Sequence, residues 1–210
     1  MAFREEAFSF FTHLGGALAG LVALVLMVQR AQGVIATMAF AAYGITLVIM
    51  FSSSTLHHVA HREDGLLRRL DLTAIYLFIA GTYTPVCLIA LRNEGGITVA
   101  IIVWALALVG ISLRWWRPVT PRWVTAGIYL GMGWFAVLGV VPLTRAMGWN
   151  ALYFLFGGGL VYTVGAIIYA MKKPDPWPLY VGYHGLWHVF VLVAAGLHFW
   201  LIWHYVPMAG

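Results

Sequence analysis

Seven apolar runs, each long enough to cross a lipid bilayer, constrain this chain more than any motif within it. They extend roughly from Phe10 to Val28, Val34 to His58, Asp71 to Leu91, Ile97 to Leu113, Trp123 to Val141, Asn150 to Met171 and Val181 to Trp203. A crossing takes about 20 residues, so a chain of 210 residues holds seven of them with short loops and no room for a separate soluble domain. Inside lipid every backbone N–H and C=O must be satisfied within the chain, and segments of this length meet that demand as helices. The expectation is an all-α integral membrane protein, a single seven-helix transmembrane domain covering residues 1–210.

Composition excludes the main competitor, a soluble enzyme with a large core. Hydrophobic residues make up 62% of the chain and charged residues 9%, whereas about a quarter of a soluble domain is charged. The formal charge of +5 does not indicate nucleic acid, because the basic residues sit in short loops between apolar runs and form no stripe along a binding face. Cys87 is the only cysteine, which excludes an intrachain disulfide and a sulfur-rich metal cluster; inside an apolar run it reads as packing. The triplet Ala17–Ala19 resembles a cleavage site, but it lies within the first run and Glu5 and Glu6 precede it. A signal peptide would carry positive charge there, so an uncleaved first helix is expected. Gly157, Gly158, Gly159 and Pro85 fall inside spans, where transmembrane helices tolerate them.

Lys and Arg set the orientation. On the side of the N-terminus lie nine of them, Arg4, Arg62, Arg68, Arg69, Arg114, Arg117, Arg122, Lys172 and Lys173; the other side has three, Arg30, Arg92 and Arg145. This bias predicts a cytoplasmic N-terminus and an external C-terminus.

That orientation gathers the polar residues of four helices into one leaflet. The stretch SSSTLHHVAHREDGLLRRLD, Ser52 to Asp71, ends the second span with Ser54, His57 and His58 and opens the third with Asp71. The seventh span begins on the same side with His184 and His188, in GYHGLWH, and the first with Glu6, Ser9 and His13. Edge decoration would scatter over both leaflets.

His184 and His188, at i and i+4, share a helix face, and one histidine of the second span adds a third nitrogen. Three histidines and a water are the open arrangement of a catalytic zinc site. His57 and His58 are adjacent and differ by about 100° around the helix, so one of them faces inward, and spacing does not select between them. Asp71 is followed by uninterrupted LTAIYLFIA, and a carboxylate at the edge of lipid is expensive unless it faces the bundle interior and a partner. Beside a metal it can orient water or accept its proton. Ser54, four residues before His58 on the same face, is placed to hydrogen-bond the water or a substrate carbonyl. His13 reads as a helix–helix hydrogen bond, His61 as a loop residue, His198 and His204 as interfacial or packing residues near the outer end, and Trp115 with Trp116 as an interfacial belt.

Ser-x3-His at Ser54 to His58, D…IYLFIAGTYTP from Asp71 to Pro85 and HxxxH at His184 to His188 together resemble the hemolysin III branch of the progestin and adipoQ receptor family, related to the adiponectin receptors and more distantly to alkaline ceramidases. The resemblance covers nearly the whole chain. It selects His58 over His57 and implies zinc held by His58, His184 and His188 near the cytoplasmic face, with Asp71 and Ser54 around the water. The chain departs from the family where Ser9 replaces a usual Asn and where Leu72 follows the aspartate in place of His.

The expectation is therefore a multi-pass protein of a bacterial plasma membrane, a zinc-dependent hydrolase of a lipid amide or ester bond with membrane lipids as its partners. The alternatives are a non-catalytic membrane sensor or homeostasis protein, in which zinc ties the second span to the seventh, and the pore-forming cytolysin that the branch's name implies.

Overall fold

A computed structural model describes residues 3–60, 65–117 and 120–209. His61, read as a loop residue, and Arg62, counted with the basic side, lie outside them. Among the described residues the chain forms α1 (Phe3–Arg30), α2 (Val34–Ala60), α3 (Leu66–Pro85), α4 (Gly96–Trp116), α5 (Arg122–Trp134), α6 (Val140–Met147), α7 (Trp149–Met171) and α8 (Gly182–Tyr205). They make seven spans long and apolar enough to cross a membrane.

Two spans are composite. The third, Leu66–Ala90, runs from α3 into a π-helical turn, Val86–Ala90, directly after Pro85. Proline lacks the N–H that continues the α-helical ladder, and a widened turn is one way of absorbing the loss. The fifth, Arg122–Met147, passes from α5 through a 3-10 turn, Phe135–Gly139, into α6. Beside that break the Tyr83 hydroxyl of α3 donates to the Met132 and Gly133 carbonyls at 3.0 and 2.8 Å.

Two helices begin earlier than hydropathy indicates. α1 starts at Phe3, placing Glu5, Glu6 and Ser9 on the helix, and α3 starts at Leu66, placing Asp71 in its second turn where the sequence reading put it at the helix start. Hydropathy marks where lipid-compatible side chains begin. The backbone ladder asks only for N–H and C=O partners, so it continues through polar residues at the membrane edge.

Met27, Phe40, Tyr43, Phe78, Val191, Leu201 and Ile202, from α1, α2, α3 and α8, form the core. The outer faces carry exposed Leu18, Val22 and Val25 on α1 and Ile101, Leu108 and Val109 on α4, the surface that lipid covers. α1 packs against both α2 and α8, α2 against α3, and α7 against α8. The C-terminal end of α2 thus meets the N-terminal ends of α1, α3 and α8.

Candidate metal centre

At that meeting point the imidazoles of His58, His184 and His188 face one another. The Nε2 atoms of His58 and His188 are 3.1 Å apart, those of His184 and His188 3.0 Å, and those of His58 and His184 3.4 Å. Nitrogens bound at about 2.0–2.1 Å to one tetrahedral ion stand roughly 3.3 Å from each other. The triangle has the dimensions of a three-histidine metal site, with His58 and His188 each 2% exposed and His184 partly buried. His57 has its ring 5.2 Å from that of His58 and takes no part in the cluster.

The orientation of His58 has a visible cause. Its Nδ1 lies 2.6 Å from Oε2 of Glu6, in the first turn of α1. A carboxylate only accepts, so Nδ1–H donates, and the neutral tautomer that carries this proton would direct the Nε2 lone pair at the other two histidines. Carboxylate partners of this kind fix the tautomer and raise the basicity of metal-ligating histidines. Sequence reasoning placed Glu6 at the same end of the bundle as the histidines without giving it a role; the signal it lacked was the early start of α1, which brings the side chain within reach.

The preceding Glu5 holds the other half of the cluster. Its Oε1 accepts the N–H of Leu179 at 2.9 Å, just before α8, while Oδ1 of Asp175 accepts the N–H of Tyr183 at 2.7 Å. The first N–H groups of a helix have no intrahelical acceptor; Asp175 meets that need for Tyr183 at the start of α8, while Glu5 holds the loop that leads into it.

Of the remaining sequence-identified residues, Ser54, Asp71 and His13 line the same cavity as His184 and His188, about 330 Å³ in volume. The Ser54 hydroxyl donates to the Asp71 carboxylate. His13 is buried, its ring 3.7 Å from that of His188 and 5.0 Å from that of Phe51, so ring packing ties α1 to α8. Ser9 is fully buried and its hydroxyl has no partner among the described residues. The Leu72 carbonyl accepts from the Tyr129 hydroxyl at 2.7 Å. His204 stacks on Trp200 at 4.0 Å, away from the cluster, whereas His198, of the two roles left open to it, packs internally against Gly158 and lines the cavity.

From Asp71 and the histidines the cavity continues among apolar side chains such as Ile75, Phe78, Leu130, Phe156, Val191 and Leu201. Its size lies at the lower end of the range for small-molecule sites. Polar side chains gather at its histidine end and recur further along at Thr82, Tyr162 and His198, while hydrocarbon suits most of its wall.

The chain matches the family model described as haemolysin-III related over residues 1–199. It is 34% identical to Hemolysin-3 of Bacillus cereus over 210 aligned positions, covering 97% of this chain and 92% of that protein. It is also 34% identical to the Hemolysin-3 homolog of Bacillus subtilis (strain 168) over 207 positions, with 96% and 94% covered. Similarity extends to the Monocyte to macrophage differentiation factor of Homo sapiens, at 29% over 173 positions, covering 78% of this chain and 68% of that protein.

Proposed function

The chain belongs to the haemolysin-III related family, and from that membership, taken with the histidine cluster, we propose that it is a zinc-dependent integral membrane hydrolase of a lipid amide or ester bond. The observation that carries the reading is one of placement. Three convergent Nε2 atoms and the Ser54–Asp71 pair lie at one end of a cavity whose remaining wall is largely apolar. Neutral imidazoles suit zinc, and also copper, iron and nickel; an open three-histidine set is the arrangement of hydrolytic zinc.

Zinc held by His58, His184 and His188 would supply Lewis acidity, polarising a carbonyl and making nearby water easier to deprotonate. Asp71 serves as general base, receiving the water proton on its carboxylate and returning it to the leaving amine or alcohol. Ser54 donates to Asp71 and fixes the direction of its free lone pairs. Glu6 keeps the His58 lone pair on the site. The apolar wall takes the acyl chain and keeps bulk water from the reacting carbonyl.

The cellular setting follows from the same reading: a bacterial plasma membrane, with the N-terminus and the histidine end on the cytoplasmic side, supported by the basic-residue bias and by the bacterial relatives.

The test is Asp71→Asn in purified, zinc-loaded protein, assayed on ceramide-like, acyl-amide and ester lipids. Zinc content and melting temperature are expected to stay near wild type, while turnover falls about 10²- to 10⁴-fold, the contribution of a positioned general base. A variant that keeps wild-type turnover, or a wild type that cleaves none of these lipids, would sink the hydrolase reading and leave the zinc as a tie between α2 and α8.

A further inference from the structure

Away from the triangle, one histidine is seated with unusual care. A Cβ at Gly158 of α7 would stand 2.5 Å from Nε2 of His198, so the glycine leaves the gap into which α8 presses this imidazole. There Nε2 lies 3.1 Å from the Leu155 carbonyl. A carbonyl only accepts, so Nε2 carries the proton and Nδ1 is left as an acceptor. Tyr162, its ring 5.7 Å from that of His198, has a buried hydroxyl with no partner among the described residues. Both residues line the cavity, between apolar neighbours such as Leu155, Phe156 and Leu201. Leaving the buried Tyr162 hydroxyl unanswered is costly, and a hydrocarbon chain would answer neither it nor the acceptor Nδ1 of His198.

We propose that His198 and Tyr162 form a second recognition site in the cavity, for a hydroxyl carried part-way along an acyl chain. The ligand O–H donates to Nδ1 of His198, and its oxygen accepts from the Tyr162 hydroxyl. His188 and His198 are ten residues apart on α8, about 15 Å at the helical rise, which is the reach of roughly twelve chain carbons from a carbonyl at the triangle. The preferred lipid therefore carries a long acyl chain hydroxylated near its twelfth carbon. The choice of which end lies at the histidines rests on the proposed zinc site; the hydroxyl site itself does not.

The experiment is calorimetric titration of zinc-loaded protein in detergent with stearic acid and with 12-hydroxystearic acid. The hydroxylated acid is expected to bind about three- to tenfold more tightly, the net effect of a hydrogen bond. His198→Phe should erase that preference. Equal affinities in the wild type, or a preference that survives His198→Phe, would overturn the proposal. Should His198→Phe fail to fold, Tyr162→Phe decides: a reduced preference supports the site and an unchanged one overturns it. The anchor is read separately in His58→Ala. Undiminished binding of both acids there defeats the zinc-hydrolase reading, while a hydroxyl preference persisting in the same variant still supports the second site.

Discussion

Glu6 and His58 show how much of a site rests on a single hydrogen bond. The 2.6 Å contact selects the tautomer, and the tautomer determines whether Nε2 offers a lone pair or a proton to its neighbours. Glu6→Gln keeps the shape and loses the charge, and is expected to weaken zinc binding about 10- to 100-fold, measured by competition with a chelating dye; unchanged affinity would mean that the carboxylate does not tune the ligand. The His184–His188 pair was legible in the sequence because i and i+4 share a face on any helix. The choice of His58 over His57 was not legible from spacing, because it depends on how far α2 has turned when it meets α1 and α8. Glu6 was hidden for the same reason, its partner lying on another helix.

At the level of elements, the site depends on how closely α1 and α2 approach. A Cβ at Gly44 would stand 2.6 Å from Leu24 Cδ1 and 2.9 Å from its Cα, so the two backbones meet across a residue with no side chain, as small residues allow in membrane helix pairs. Gly44→Ala is expected to cost about 1–3 kcal/mol through overpacking, and to lower the melting temperature and the zinc affinity together, since α1 carries Glu6 and α2 carries His58. Gly15→Ala is the control: a Cβ there meets nothing within 4 Å, and both quantities should stay at wild-type values. The apolar runs announced the spans, yet they misplaced the starts of α1 and α3, because side-chain polarity and backbone hydrogen bonding stop at different points along the chain. The interruptions of the third and fifth spans were equally silent in hydropathy, which counts side chains and not the carbonyls that Tyr83 reaches.

For the molecule as a whole, the proposed zinc would join the end of α2 to the start of α8, elements distant in sequence and adjacent in the bundle. A ligand that binds only the folded state stabilises it by mass action, so chelation should lower the melting temperature of the wild type by about 5 °C or more and leave His58→Ala unmoved; a wild type indifferent to chelation would speak against an occupied site. Orientation is checked with a reporter fused after Gly210, expected to read as external, with a cytoplasmic readout refuting the direction taken from the basic residues. Sequence alone determined that the chain spans a membrane seven times, because helix length and apolarity are local properties that lipid turns into a requirement. It also placed the Ser, His and Asp residues at one end of the bundle, since alternating crossings allow each span's end only one side. What only the tertiary structure decided is which of those residues touch: His58 and not His57, Glu6 behind it, Ser54 on Asp71, and His198 turned into the cavity past Gly158. Contacts of this kind depend on the rotation and tilt of each helix against its neighbours, which are set by packing among all the spans at once and written in none of them separately.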